Sequence, residues 1–275
     1  MLIFPNCKIN LGLHIGNKRN DGYHNLETVF YPLPLYDAVE IVEDFQATPG
    51  SSVSFTQTGL PIPGHTHENI CIKAFELLKE EYPFLPPIKM HLQKQIPTGG
   101  GLGGGSADAV AVIQLLQKKF NLHIPAKKLQ ELALQLGSDC PFFLLNSAAH
   151  ATGRGEILQP IALDLKKYEI LIVNPQIHIA TGWAFNNIRI QTQERESLAK
   201  TVLQPIETWR KNLHNDFESV VFNAHPLIKS IKDHLYEQGA MYASLSGSGS
   251  TVYGLFPQKT KSNFKFPTNY FCKWV

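Results

Sequence analysis

The sequence predicts an α+β protein of two domains. Three observations carry that reading: an antiparallel strand pattern opens the chain and gives way to helices, the pattern begins again past about residue 150, and 275 residues suffice for two ordinary domains. The division expected is 1–150 and 151–275.

The elements justify it in order. Cys7, Ile9, Leu11, Leu13 and Ile15 alternate with Lys8, Asn10, Gly12 and His14, which is the two-residue period of a strand with one apolar face. Asp21-Gly22 marks a turn, and residues 26–33 and 39–42 are apolar enough for further strands. A Gly- and Pro-rich loop over 57–64 precedes a helix over 70–82, with cap residues at 66–69 and Ile70, Ala74, Leu77 and Leu78 as its stripe. Ile88, Met90 and Leu92 alternate as a strand that runs into Pro97-Thr98-Gly99-Gly100-Gly101-Leu102-Gly103-Gly104-Gly105-Ser106. Residues 106–120 read as a buried helix, and 125–136 as another with proline in its first turn and Gly137 as its stop. In the second half, 170–173 is a strand, 226–238 a helix closed by Gly239, and 241–245 and 251–256 flank a small-residue loop. Residues 191–200 read as an exposed helix or loop.

Composition narrows the classes. With 43% hydrophobic and 17% charged residues the chain is globular, no apolar run is long enough to span a bilayer, and the start lacks the basic leader of a signal peptide. A cytoplasmic protein is expected. Cys7, Cys71, Cys140 and Cys272 form no C-x-x-C pair and read as reduced thiols, and a net charge of +2 argues against a nucleic-acid partner. His65 and His67 lack further ligands at a recognisable spacing for zinc.

Six of seven positions from Gly99 to Gly105 are glycine, a costly run to order unless backbone amides wrap a phosphorylated ligand beside the positive end of the next helix. The lysine-bearing P-loop pattern fails because Gly105 is followed by Ser106-Ala107. Gly99, Gly101 and Gly104 satisfy the dinucleotide pattern, but no acidic residue lies between Asp108 and Glu131 to hold a ribose.

Residues 97–106 resemble the glycine loop of the GHMP small-molecule kinases, which include galactokinase, homoserine kinase and mevalonate kinase. More specifically, four segments, taken in order, resemble the kinases that act on the cytidine diphosphate derivative of methylerythritol. They are Cys7-Lys8-Ile9-Asn10-Leu11-Gly12-Leu13-His14-Ile15, Arg19-Asn20-Asp21-Gly22-Tyr23-His24, the glycine run, and Gly137-Ser138-Asp139-Cys140-Pro141-Phe142-Phe143. Leu245-Ser246-Gly247-Ser248-Gly249-Ser250-Thr251 resembles that family's third motif. The resemblance implies a two-domain GHMP fold with its active site in the interdomain cleft. It implies ATP and Mg2+ as cofactors, and phosphoryl transfer to the acceptor's 2-hydroxyl in non-mevalonate isoprenoid precursor synthesis. A monomer or weak homodimer is expected. Another kinase of the superfamily, of homoserine or mevalonate type, and a non-catalytic nucleotide sensor are the alternatives.

On the residues alone, Lys8 is an exposed strand lysine or a site cation, and Asp139 a helix cap or a site carboxylate. The resemblance makes both catalytic: Asp139 accepts the hydroxyl proton, and Lys8 holds that hydroxyl or the moving phosphoryl oxygens. Pro97, Gly99, Gly100, Gly101, Leu102, Gly103, Gly104, Gly105 and Ser106 are expected on ATP. Asn10, Tyr23, His24, Phe185, Gly247 and Gly249 are expected on the acceptor, the aromatics because cytosine needs a flat wall and a polar edge reader. Metal ligands are unassigned. Asp108 stands where relatives carry a hydroxyl or amide, and its charge would repel a triphosphate unless it points away.

Overall fold

The computed structural model describes residues 1–48, 52–190, 195–258 and 265–275. The first part of the chain forms β1 (Leu2–Ile3), β2 (Asn6–Lys18), β3 (His24–Tyr36), β4 (Ala38–Glu43), β5 (Val53–Gly59), α1 (Ile70–Glu81), β6 (Ile88–Lys94), α2 (Gly104–Lys119), α3 (Ala126–Leu136) and α4 (Cys140–Leu145). There follow β7 (Ala149–Thr152), β8 (Ile157–Pro160), β9 (Tyr168–Asn174), α5 (Thr181–Asn187), α6 (Leu198–Thr201), α7 (Ile206–Asn212), α8 (Phe217–Ala224), α9 (Pro226–Glu237), β10 (Tyr242–Leu245), β11 (Val252–Pro257) and β12 (Phe271–Trp274). No described helix is long and apolar enough to cross a membrane.

Two compact units result, each discontinuous in sequence. One comprises Met1–Cys7, Pro34–Thr98 and Gly103–Asn146, and the other Lys8–Leu33, Gly99–Leu102 and Ser147–Val275. Lys8–Leu33 and Gly99–Leu102 pack with residues from Ser147 onward rather than with their neighbours in the chain. A reading along the chain follows local period, and strand pairing between distant segments leaves no local signal.

In the first unit, β1-β4-β6-β5 form a sheet in which β6 pairs antiparallel with β4 and parallel with β5. Val39, Ile41, Met90 and Leu92 on its strands pack with Phe75 and Leu78 of α1 and with Val112 and Leu116 of α2. The α1 stripe is as expected, with Phe75 added and Asn69 accepting the Cys71 N–H at 2.9 Å as its cap. Strand β5 takes up part of the stretch expected as a loop at 57–64, because it lies beside β6 and completes that strand's hydrogen bonding. Asp139 stands at the entry to α4.

In the second unit, β2-β3-β7-β8 form one sheet and β10-β11-β9-β12 another. Leu171, Val173, Leu245, Val252 and Phe256 from the latter pack with Phe217, Val221, Ile228 and Leu235 of α8 and α9. Residues 191–194 of the expected 191–200 segment lie outside the described residues; of the rest, Glu196 and Lys200 are exposed and Leu198 at the start of α6 is buried. Glu27 of β3 anchors that helix, accepting Ser197 Oγ–H at 2.5 Å, Leu198 N–H at 2.9 Å and His150 Nε2 at 2.8 Å. Burial alone would raise its pKa, but His14, 3.7 Å away, and hydrogen bonds from Ser197, His150 and Leu198 bring it from 4.5 to about 2.

A carboxylate with a depressed folded pKa adds stability above its unfolded value and loses it as pH falls toward the folded one. Glu27→Gln is therefore expected to be less stable than wild type by about 1–2 kcal/mol at neutral pH, allowing for partial exposure. The difference should shrink as pH falls from 4.5 to about 2, as read by urea unfolding across that range.

Candidate active site

Alternation along β2 puts Lys8 and Asn10 on the same side of the strand, and both are only 2% exposed. The polar face expected to be open is thus buried, and its groups are paired. Lys8 Nζ donates to Asn10 Oδ1 at 2.7 Å and to the Gly101 carbonyl at 3.1 Å, and lies 4.9 Å above the centre of the Phe30 ring. Asn10 Nδ2 donates to Thr28 Oγ1 at 3.0 Å, and the Thr28 hydroxyl donates to the Gly12 carbonyl at 2.6 Å. This excludes the reading of Lys8 as an exposed strand lysine.

The late small-residue loop meets the same point of the glycine run. Ser246 Oγ donates to Gly101 O at 2.8 Å and accepts from the Asn10 N–H at 3.3 Å, while Thr251 N–H donates to Gly100 O at 3.2 Å. Only glycine fits there: Gly101 has φ +81°, and a Cβ on it would stand 1.9 Å from Ser246 O. Asn215, which nothing in the sequence marked, donates through Nδ2 to Leu245 O at 2.9 Å and Gly247 O at 2.8 Å. Gly247 adjoins the run, since a Cβ on it would lie 3.3 Å from Gly101 Cα, and Gly249 sits in the same loop with φ +88°.

In the first unit, Pro97 is buried and Gly103 is the N-terminal cap residue of α2, so the helix starts at Gly104, two residues earlier than expected. Ser106 therefore lies inside the first turn rather than at the cap. Its hydroxyl and the Cys140 thiol both lie near Gly137; burial pushes the thiol pKa up to about 12, the Ser106 hydroxyl opposes that rise and the Asp139 charge adds to it. That proximity places the Asp139 loop beside the end of the glycine run. Asp139 is half-buried at the start of α4, and its side chain makes no capping hydrogen bond to that helix.

A cavity of about 440 Å3 opens where the run begins and ends, lined by Thr98 and Gly105 together with Phe55, Ile62, Ile70 and Leu92. Lys94 and Asp108 also line it. Asp108 is buried and ion-paired to Lys94 at 2.7 Å, which answers the expected conflict with a triphosphate: its charge is spent within the protein.

Of the residues expected on the acceptor, the structure brings His24 and Phe185 together as a stack, with centroids 5.1 Å apart and planes 11° from parallel. Phe185, on α5, rests edge-on against Phe217 at 4.9 Å. Burial lowers the His24 pKa and the nearby Lys18 charge lowers it further. Tyr23 is outside that stack: it is exposed, and the Arg154 guanidinium sits 4.4 Å over its ring. Arg154 was not legible as a site residue, because a cation–π partner from a distant strand turn has no local pattern.

Two family models, described as GHMP kinases N terminal domain and GHMP kinases C terminal, match residues 69–147 and 196–265. Fold and glycine run thus define an ATP-dependent small-molecule kinase of the GHMP class. The similarity to curated proteins is closer and runs the length of the chain. A 4-diphosphocytidyl-2-C-methyl-D-erythritol kinase of Azobacteroides pseudotrichonymphae is 47% identical over 98% of this chain and 100% of its own. One of Bacteroides thetaiotaomicron is 48% identical over 99% and 98%. A crystal structure of 4-(cytidine 5'-diphospho)-2C-methyl-D-erythritol kinase superposes with a TM-score of 0.77 at 30% identity, covering 93% of this chain and 90% of that one. The chain belongs to the 4-diphosphocytidyl-2-C-methyl-D-erythritol kinase family. An L. major mevalonate kinase in complex with R-mevalonate shares the fold, at TM-score 0.66 and 15% identity over 94% of this chain and 88% of its own.

Gly101→Ala is expected to lower the melting temperature and to weaken ATP binding about tenfold or more, since the new methyl meets backbone that cannot retreat and the φ is strained. Thermal unfolding and ATP titration of the purified variant check this.

Proposed function

We propose that the protein transfers the γ-phosphoryl group of ATP to the 2-hydroxyl of 4-diphosphocytidyl-2-C-methyl-D-erythritol, serving isoprenoid precursor synthesis in the cytoplasm. The observation that carries the reading is the bond from Lys8 Nζ to Gly101 O, which ties an amine to the backbone of a glycine run that begins a helix. The acceptor's identity comes from the relatives' names.

In this reading the amides of Gly99 to Gly105 and the N-terminal end of α2 cradle the phosphates, and the cavity bordered by Thr98 and Gly105 takes the adenosine. Phosphoryl transfer through a loose transition state asks mainly for position and charge stabilisation. Lys8 supplies a cation to the transferring oxygens, with Asn10 orienting it through the 2.7 Å bond. Asp139 orients the acceptor hydroxyl and takes its proton. His24 and Phe185, the stacked pair, contact the cytosine, Tyr23 adjoins His24 in the chain as a further aromatic, and the loop bearing Gly247 and Gly249 faces the acceptor's phosphates.

Mg2+ accompanies the ATP. It keeps several waters and binds phosphate oxygens with only one or two protein ligands, so a metal-binding cluster of three acidic, histidine or cysteine side chains, which is absent among the described residues, is not required. The Ser106 hydroxyl is an oxygen of the hard type it takes, at the end of the run. Mg2+ offsets charge on the phosphates when bound.

A coupled ATP-consumption assay with the cytidine diphosphate acceptor, homoserine and mevalonate tests the whole reading, and turnover with the first alone is expected. ATP binding without turnover on any acceptor would point to a nucleotide sensor instead. Asp139→Asn and Lys8→Ala should each lower kcat by about two orders of magnitude or more while ATP still binds, as single-turnover kinetics and calorimetry would report. His24→Ala should raise the acceptor KM about tenfold and leave that for ATP nearly unchanged, and equal effects on both would remove His24 from the acceptor site.

A further inference from the structure

We infer that Asp37, Lys94 and Asp108 form a buried staple that positions the phosphate-binding run by joining the strand before it to the helix after it. The inference rests on the nucleotide reading of the glycine run and deepens it. Asp37 Oδ1 accepts the N–H groups of Gln95 at 2.5 Å and Ile96 at 2.8 Å, the last residues before Pro97. Its other oxygen takes the Lys94 ammonium, and the same ammonium donates to Asp108 Oδ2 at 2.7 Å. Asp108 lies on α2 just past the run. One chain of contacts therefore links both stems of the loop without passing through it.

The glycines are fitted to this staple. A Cβ on Gly104 would stand 3.0 Å from Lys94 Nζ and 2.8 Å from Ile96 Cγ2, so the ammonium packs directly beneath the first turn of α2. All three side chains are at most 2% exposed. Charges buried this deeply are costly, and a well-packed apolar group of the same size would often stabilise the fold as well or better. Asp108 bears that cost visibly. Its Oδ1 has no hydrogen-bond partner among the described residues, and burial pushes its pKa up to about 7 although the Lys94 charge pulls it down.

What ions supply and apolar packing does not is direction. Of the four oriented hydrogen bonds, the one from Lys94 to Asp108 ties α2 to β6 and the other three hold Lys94 and the loop stem in place, which sets the aim of the amides at the helix start. Lys94, although it lines the cavity, has its charge committed to two carboxylates and is a positioning residue rather than the cation for the phosphates.

The test compares the wild-type chain with Asp108→Asn, which keeps the shape of the side chain and removes its charge. ATP affinity is measured by calorimetry without acceptor, then kcat and both KM values, with the melting temperature as a control. The expected result is an ATP Kd and KM raised about tenfold with an acceptor KM within about twofold of wild type. A merely structural role would lower the melting temperature and leave the ATP Kd of the folded fraction unchanged, and that result overturns the inference, as does an equal rise in both KM values. Should Asp108→Asn not fold, hydrogen exchange on the wild-type chain decides. The Gln95 and Ile96 amides are expected to be strongly protected with and without ATP, and rapid exchange in the nucleotide-free protein overturns the staple. A wild-type chain that binds no ATP would instead overturn the nucleotide reading and this inference with it.

Discussion

The arrangement of this protein depends on how closely backbone can approach backbone at Gly100 and Gly101. The carbonyl of Gly101 receives both the Lys8 ammonium and the Ser246 hydroxyl, and that of Gly100 receives the Thr251 amide. A methyl group at either position would collide, at 1.9 Å from Ser246 O for Gly101 and 2.4 Å from Asn174 Nδ2 for Gly100. The absence of side chains is what lets a strand near the start of the chain and a loop near its end converge on one short segment. The entropy lost in ordering so many glycines is offset by bonds that no bulkier residue could reach.

Most polar groups buried around this segment are satisfied in chains rather than singly, the Ser250 hydroxyl being an exception among the described residues. Lys8, Asn10 and Thr28 lead to Gly12 O, and Asn215 holds the loop that carries Ser246 through two carbonyls. Such networks polarise their members and leave few alternative arrangements, so they hold the side chains they contain in one place. Asp108 also departs from that rule with one oxygen unpartnered, and it belongs to the buried ion cluster beside the cavity lined by Thr98 and Gly105. The contrast is between hydrogen-bonded chains around Lys8 and a buried ion cluster with one unpartnered carboxylate oxygen at the stems of the glycine run.

Much of this was legible from residue patterns. Period-two alternation found β2 and β6, an apolar stripe found α1, stop glycines bounded α3 and α9, and the glycine run read as a phosphate loop because little else accounts for its cost. The motifs also marked Lys8, Asp139, His24 and Phe185. Not legible were the short elements, such as α4 around Asp139 and strands β7, β8 and β12, whose few residues form because neighbours complete their hydrogen bonds. Thr28, Asn215, Arg154 and Asp37 escaped notice for a related reason: each acts on a partner far along the chain, and nothing in its own neighbourhood distinguishes it from an ordinary polar residue.

By itself, then, the order of residues determined local conformation, the place of the glycines and the family to which the chain belongs, because these follow from propensity, period and motif. Only tertiary structure decided that Lys8 is buried and bonded to Gly101, that Asp108 turns inward to Lys94, and that Lys8–Leu33 packs with the later residues. Those outcomes depend on long-range pairing and on the cost of leaving a buried charge or amide without a partner, quantities set by the folded surroundings and by no stretch of sequence alone.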